Sequence, residues 1–363
     1  HGGGGKGIQI VERPEQIHGL FHQVTTEAKN AFGNGDVYIE KFVTSLRHIE
    51  VQILRDCKGN TRVLGLRDCS VQRNNQKLME ESGSTMLPTK LKKAVFGYAE
   101  QIANTVDYHG AGTVEFIYDV PNDAIYFMEM NTRLQVEHPV TEVVTGIDIV
   151  GKQFAIASGE SISDLKIKEK GYGLEVRINA EKAVRDADGN VSFVPTPGEI
   201  TECILPEADD IELISTVGAG KVVSPFYDSL IIQIICHGKS RQDVISKMYD
   251  YLESVTIHGI CTNISLIKRI LRDQTFIDGT YDTNYLPEFL SRINASALIQ
   301  EIEEGSGSDN SALDPEMIRI EGSDEIKVLA PSAGVFYLTP SPSEPERLIQ
   351  FSEKVKRIKG TSH

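Results

Sequence analysis

The chain has no uninterrupted apolar run approaching the roughly eighteen residues that a membrane helix needs. Its opening, HGGGGKGIQI, also lacks the charged and apolar regions of a signal peptide. Neither a membrane span nor a secretory leader is expected, so the expected setting is cytoplasmic, or an organelle matrix in a eukaryote. Cysteine is scarce: Cys57, Cys69, Cys203, Cys236 and Cys261 are scattered without CxxC spacing. That excludes a zinc cluster and a disulfide framework, and predicts reduced thiols in the core or in strands. Positive charge is also short. With 37 Lys and Arg against 52 Asp and Glu, the net charge of -15 would repel a phosphate backbone over most of the surface, so nucleic acid is excluded as a partner. A nucleoside triphosphate is not excluded, because a small anion needs only a local cluster of donors and cations. The Walker phosphate-binding pattern is missing too: Ile8 follows Gly7 where a lysine and a hydroxyl residue would be needed.

The 363 residues are 40% hydrophobic and 25% charged, which fits two or three soluble domains. The spacing of Ile17, Leu20, Phe21, Val24 and Ala28 predicts a helix over about 14–31, and Val37 to Val43 reads as a short strand. In HIEVQIL, His48, Glu50 and Gln52 alternate with Ile49, Val51 and Ile53, and the turn Lys58-Gly59-Asn60 leads into RVLGL, predicting a β pair. A helix is expected over 89–107, then strands over 112–118 and 125–130, and mixed strands and helices to about 290. From Ile302 the composition shifts to EEGSGSDNSALD, the signature of a linker. Short strand candidates follow at 326–328, 334–338 and 348–355, punctuated by prolines, as in a small β module.

The segment FMEMNTRLQVEHPVTE, residues 127–142, carries the most chemical information. If extended, it sends Glu129, Asn131, Arg133, Gln135 and Glu137 to one face and Met128, Met130, Thr132, Leu134 and Val136 to the other. A half-exposed strand could show the same alternation. Acids, a cation and amides together, with Glu115 in the preceding strand, also suit a metal and phosphate site. Two carboxylates and an amide oxygen are hard ligands for Mg²⁺ or Mn²⁺ held against triphosphate oxygens. The glycine tract Gly2, Gly3, Gly4 and Gly5 could cover the phosphates with backbone N–H groups and Lys6 could add charge, although a flexible linker would look the same.

EKFVTSLRHIEVQIL, RDCSVQRNNQK, GAGTVEFIYD and MEMNTRLQVEHPVTEVVTGIDIV resemble consecutive motifs of the biotin carboxylase component of biotin-dependent carboxylases. GYGLEVRINAE, FVPTPGEIT, VVSPFYDSLI and HGICTN continue the likeness to about residue 290, and VLAPSAGVFYLTPSPSEP resembles the opening of a biotinyl carrier domain. The resemblance implies an α+β, ATP-grasp architecture. Residues 1–43 would form a partial lid with the glycine-rich loop, 44–298 the C-terminal ATP-grasp domain, 299–323 an acidic linker and 324–363 a partial β-rich biotinyl-like domain. In such enzymes ATP phosphorylates bicarbonate, and the carboxyphosphate releases CO₂ for transfer to N1 of carrier-linked biotin. Glu115, Glu129 and Asn131 then match the metal site. Arg133, Gln135 and Val136 match the bicarbonate pocket, Glu137 the base and Lys77 the lysine near the transferred phosphate. His48 and Gln72 match nucleotide contacts, and Glu40, Lys41 and Val43 the hinge that reads the adenine edge. Implied partners are a biotinyl carrier domain, a carboxyltransferase and further copies of the chain.

Departures from the family pattern accompany this match. The arginine expected shortly before YDS, which would stabilise a biotin enolate, is replaced by Glu212, and no lysine or arginine lies between Arg185 and Lys221. The RDC motif has Leu66 before it and Asn74 and Asn75 within its continuation, and the following acidic element reads Glu80-Glu81-Ser82-Gly83. The family's first domain and the lysine upstream of its glycine loop are expected to precede His1. No biotinyl-lysine motif follows Lys359, so this stretch is not expected to serve as its own biotinylated carrier, and the carrier domain that it opens is expected to be fused. Two other readings stay open: a non-catalytic scaffold of carboxylase fold, favoured by Glu212, and an ATP-grasp ligase with an amine acceptor.

Overall fold

Alternation in LRHIEVQILR puts aliphatic side chains on one side of a strand and polar ones on the other. In the computed structural model, which describes residues 8–186, 189–307 and the strand fragments 318–319 and 326–327, this run lies inside an eight-stranded antiparallel sheet. A 3-10 turn at Pro14–Gln16 enters helix α1 (Ile17–Phe32), which ends on Gly33 in the left-handed conformation. Strands β1 (Leu46–Arg55), β2 (Thr61–Arg73) and β3 (Gln76–Ser82) form a meander. Helix α2 (Thr89–Thr105) then precedes β4 (Gly110–Asp119) and β5 (Ala124–Asn131). Helices α3 (His138–Thr145) and α4 (Ile149–Ala157) lead to β6 (Tyr172–Asn179).

Six short strands follow: β7 (Glu181–Arg185), β8 (Val191–Pro195), β9 (Gly198–Glu199), β10 (Glu202–Ile204), β11 (Ile211–Ser215) and β12 (Val222–Val223). The long β13 (Leu230–Gly238) and helix α5 (Arg241–Ser254) come next, then β14 (Thr256–His258). Helices α6 (Ile264–Leu271), α7 (Gln274–Ile277), α8 (Tyr285–Arg292) and α9 (Ala295–Gly305) close the main body. The fragments β15 (Ile318–Arg319) and β16 (Ile326–Lys327) pair with each other. The sheet order β11-β13-β6-β3-β2-β1-β4-β5 interleaves early and late segments, so residues more than a hundred positions apart meet on one surface.

One face of the sheet is sealed by apolar packing. Ile49, Val51 and Ile53 of β1 and Val114 and Phe116 of β4 meet Val95, Ala99 and Ala103 of α2. Further along, Val176, Ile234 and Cys236 pack with Val244 and Met248 of α5 and Leu266 and Ile270 of α6. Burying a large aliphatic side chain is worth about 1.5–3 kcal/mol, so this face carries most of the stability. The other face is polar and is the candidate site.

Several expectations change. Residues 34–43 form no strand: Tyr38 and Ile39 are 82% and 81% exposed, and β propensity without a partner strand does not hold a segment extended in a sheet. The stretch expected as linker is helical to Gly305, because Leu298 and Ile302, four residues apart, bury one face and Asn294 caps the start. The RVLGL and HIEVQIL pairing is found, as is the helix in 89–107. Among the cysteines, Cys69 and Cys236 are buried, but Cys57 sits exposed beside the β1–β2 turn instead of in the core. The glycine tract Gly2–Gly5 with Lys6, and most of the expected β module, lie outside the described residues.

Gly171, just before β6, has φ of +69°, and a Cβ there would lie 2.2 Å from the Gly238 carbonyl oxygen. Gly171→Ala should therefore lower stability by about 2 kcal/mol or more, read as a drop in the urea midpoint.

Candidate active site

Directly opposed residues in an antiparallel sheet share a face. Two cross-strand rows follow from the register. Arg67 of β2, Glu50 of β1, Glu115 of β4 and Glu129 of β5 form one, and Gln52, Thr113 and Asn131 form the next. Two strands interrupt their own alternation to serve this face. In β5 a shift beside Glu115 lets Phe127 turn away while Glu129 stays opposite Glu115. In β3, two residues from Met79 to Lys77 span one step of β2, so Lys77 and Glu80 reach the same site although simple alternation would separate them.

The charges gathered here are almost completely buried. Arg67 is 0% exposed and donates Nε to Glu50 Oε1 at 2.5 Å, Nη1 to Gln52 and Thr141, and Nη2 to Gln135 Oε1 at 3.2 Å. Lys77 Nζ donates to Glu50 Oε2 at 2.6 Å, to Glu115 Oε1 at 3.4 Å and to Glu137 Oε1. Arg177 of β6 donates Nη2 to Glu137 Oε2 at 2.9 Å and Nε to Glu80 at 2.6 Å. Glu137 is thus held between a lysine and an arginine. Burial pushes the Glu50 carboxyl up, but Arg67 and Lys77 outweigh it and hold the group at about 2. Burial likewise raises Glu115, and the His48 hydrogen bond and charge, Lys77 and the Gln135 amide bring it down to about 2. Burial favours the neutral form of Lys77, yet Glu50 and its neighbours reverse that and push its ammonium well above the usual lysine range.

The segment 127–142 is extended only to Asn131. Residues 132–137 are irregular, and α3 begins at His138 with Pro139 in its first turn, where a missing N–H costs nothing. The irregular stretch bends back over the polar face, placing Gln135 Nε2 2.7 Å from Glu115 Oε1 and delivering Glu137 to Lys77 and Arg177. The expected single strand is therefore replaced by strand, bend and helix, while two of its residues still converge on the cluster.

Two family models match the chain: the carbamoyl-phosphate synthase L chain ATP-binding domain over residues 1–165, and the biotin carboxylase C-terminal domain over 175–288. The chain is 43% identical over 291 residues to biotin carboxylase 1 of Bacillus subtilis, covering 79% of this chain and 63% of that protein. Among solved structures, the biotin carboxylase of Campylobacter jejuni in a β-γ-ATP complex matches with a TM-score of 0.74 and 39% identity, covering 79% of this chain and 63% of that one. The biotin carboxylase domain dimer of Hydrogenobacter thermophilus 2-oxoglutarate carboxylase, with MgADP, ADP and bicarbonate, matches with a TM-score of 0.73 and 40% identity, over 79% and 62%. This chain belongs to the biotin carboxylase family. Its fold is the ATP-grasp fold of that family, and it spans about 63% of the length of the curated bacterial biotin carboxylases it matches.

Within this biotin carboxylase fold, the expected site residues fall into three groups. Lys77, Glu115, Gln135, Glu137 and His48 are in mutual contact: His48 Nε2 is 3.2 Å from Glu115 Oε2, and its Nδ1 is 3.0 Å from the Gln72 amide. Glu129 and Asn131 sit at the exposed edge of the same rows, 3.2 Å apart through the Asn131 amide. Like charges directly opposed across strands repel. Glu115 and Glu129, with Asn131 Oδ1, are the residues of these rows that could hold a cation. Arg133, Val136, Glu40, Lys41 and Val43 stand apart from the cluster. Arg133 is exposed and donates to the Leu134 carbonyl, Val136 is exposed, and Lys41 reaches Asp119. Val43 is buried, but no hydrogen bond ties it to the site.

Sequence reasoning missed Glu50, Arg67 and Arg177 as site residues. The usable signal was present: Glu50 lies in the alternating polar set of β1, and Arg67 and Arg177 lie inside the RDC and EVRINAE motifs. Glu212 lies on β11 opposite Ile235, which is opposite Glu175, itself opposite Glu80. It therefore projects from the site face of the sheet.

Removing one partner from a buried ion pair leaves a charge uncompensated. Glu50→Gln should cost about 3 kcal/mol at neutral pH in denaturant titrations. Because the folded values of Glu50 and Glu115 lie below the usual glutamate value, their contribution is complete above about pH 4.3 and disappears as pH falls through about 2. The wild-type stability curve should slope down over that window, and more shallowly in Glu50→Gln.

Proposed function

We propose that this chain is the catalytic part of an ATP-dependent biotin carboxylase that uses bicarbonate and carboxylates biotin on a carrier domain. The observation that carries the reading is the Glu137 carboxylate fixed between Lys77 and Arg177, beside an acid pair able to hold a metal. Glu115 and Glu129, with Asn131, would hold Mg²⁺ or Mn²⁺. Bound there, the ion would neutralise triphosphate charge during phosphoryl transfer.

The chain's own residues supply the rest. Arg133, exposed at the rim, is free to swing onto bicarbonate as a two-point donor. When Lys77 turns toward the transferred phosphate, Glu137 Oε1 is released to accept the bicarbonate proton, and Arg177 keeps the carboxylate in place through Oε2. The bicarbonate oxygen then attacks the γ-phosphorus as the bond to ADP breaks, giving carboxyphosphate, the source of CO₂ for N1 of biotin. His48 and Gln72 form a hydrogen-bonded pair suited to nucleotide contact, and the 40–43 hinge to the adenine edge. The Gly2–Gly5 tract with Lys6 would cover the phosphates. Residues 44–298 would be the working ATP-grasp domain. A carboxyltransferase would choose the acyl or keto acid acceptor, and a second copy of the chain would complete an oligomer. No helix among the described residues is long and apolar enough to cross a membrane, which suits a carboxylase acting in the cytoplasm or an organelle matrix.

A second reading, a scaffold of carboxylase fold, is favoured by Glu212. A carboxylate on the site face would oppose the negative charge that develops on a biotin enolate. Bicarbonate-dependent ATP hydrolysis of the intact protein, with and without free biotin, decides between them. Glu137→Gln should lower that hydrolysis by ~10²–10⁴-fold with little change in ATP affinity. Glu212→Arg should raise carboxybiotin formation. Absence of hydrolysis in the wild type would favour the scaffold.

A further inference from the structure

Two carboxylates on the site face have no part in this chemistry. Glu80 of β3 and Glu175 of β6 stand directly opposite each other, and both are 0% exposed. Opposed Cβ atoms are about 5 Å apart, so the two carboxyl groups are neighbours. Glu80 Oε1 accepts from Arg177, whereas Glu175 Oε1 accepts only from the neutral Gln233 amide, at 2.7 Å. The remaining oxygen of each, Oε2, is buried without a partner. If both groups were ionised, they would repel each other and leave two buried acceptors unsatisfied.

One proton between the two Oε2 atoms removes both faults. It turns one oxygen into a donor for the other and cancels one charge. Glu175 is the better holder, because Glu80 has the arginine. We propose that Glu175 is a neutral carboxylic acid that hydrogen-bonds to Glu80 and acts as a positioning residue for Glu137. The charged and titratable neighbours bear on this balance: Arg177 on β6, Glu137 before α3, Lys77 on β3 and the Cys69 thiol on β2, which burial keeps neutral. Burial, followed by the Glu80 charge, pushes Glu175 well above the carboxylate range, and burial against the pull of Arg177 raises Glu80 to about 7. The proton therefore belongs to the pair.

Two links carry its effect to Glu137. Arg177 divides its guanidinium between Glu80 and Glu137, so a second negative charge beside Glu80 would draw it away from Glu137. Gln233, bound to Glu175, also donates to the Val136 carbonyl at 2.8 Å, pinning the backbone next to Glu137. This consequence rests on the function proposed above, but the protonation does not, so it is tested without turnover.

Infrared spectroscopy of the intact protein at about pH 8, far above the ordinary glutamate range, should show a protonated-carboxyl C=O band. The band should shift in heavy water, disappear in Glu175→Gln and persist in a surface control, Glu160→Gln. A raised folded value also means that the stabilisation is complete below the unfolded value and is lost as pH rises through the folded one. Glu175→Gln cannot titrate, so its urea midpoint should gain on the wild type from about pH 5 to about pH 8. No protonated-carboxyl band in the wild type, a band surviving in Glu175→Gln, or a midpoint difference independent of pH would each overturn the proposal. The wild-type spectrum decides the matter even if the variant fails to fold.

Discussion

The structure depends on keeping several opposite charges out of water in one layer. Glu50, Arg67, Lys77, Glu137 and Arg177 form a continuous chain of charged contacts under α3 and the 132–137 bend, with almost no exposure. Such a layer does not favour folding by itself, because desolvating each ion costs several kcal/mol and the attractions only offset that when geometry is good. Stability comes from the aliphatic face behind it, where α2, α5 and α6 seal the sheet. The division of labour is between the two faces of one sheet: one supplies the free energy, and the other uses part of it to hold charges at fixed positions.

Preorganisation is what this arrangement offers to chemistry. A carboxylate whose two oxygens are gripped from opposite sides by cations on two different strands cannot drift. A base or an electrostatic stabiliser needs that fixity, since the protein then pays no reorganisation cost when charge moves. The same logic explains the bend after Asn131. A continuous strand would have carried Gln135 and Glu137 outward along the sheet edge, whereas the bend folds them over the cluster.

Much of the architecture was legible because local signals and burial agreed. The β1–β2 hairpin has a Lys-Gly-Asn turn between alternating runs, and α2 has an apolar stripe that finds a partner face. Glu129 and Glu137 were legible as chemistry because acids, amides and a cation crowd into one short segment, and Glu115 because the strand before it supplies a further acid. Arg67 and Arg177 were not, because a lone arginine in a strand reads as solvated, and only the meeting of β2, β1 and β6 shows what it faces. Residues 37–43 failed for the opposite reason: their strand propensity is real but finds no partner. The end of the helix at 302–305 was hidden by a composition that turns acidic and small just where its apolar stripe, Leu298 and Ile302, comes to an end.

β3 carries one extra residue between its two site charges. Because Lys77 and Glu80 share a face only through that irregular step beside Leu78, the count of residues between them matters more than what those residues are. Straightening that step, with no residue changed, would keep every charged group in the chain yet swing the ammonium into the aliphatic layer. In comparing related chains, a one-residue gap between these two positions would therefore mark a regular strand that still presents both charges on the site face.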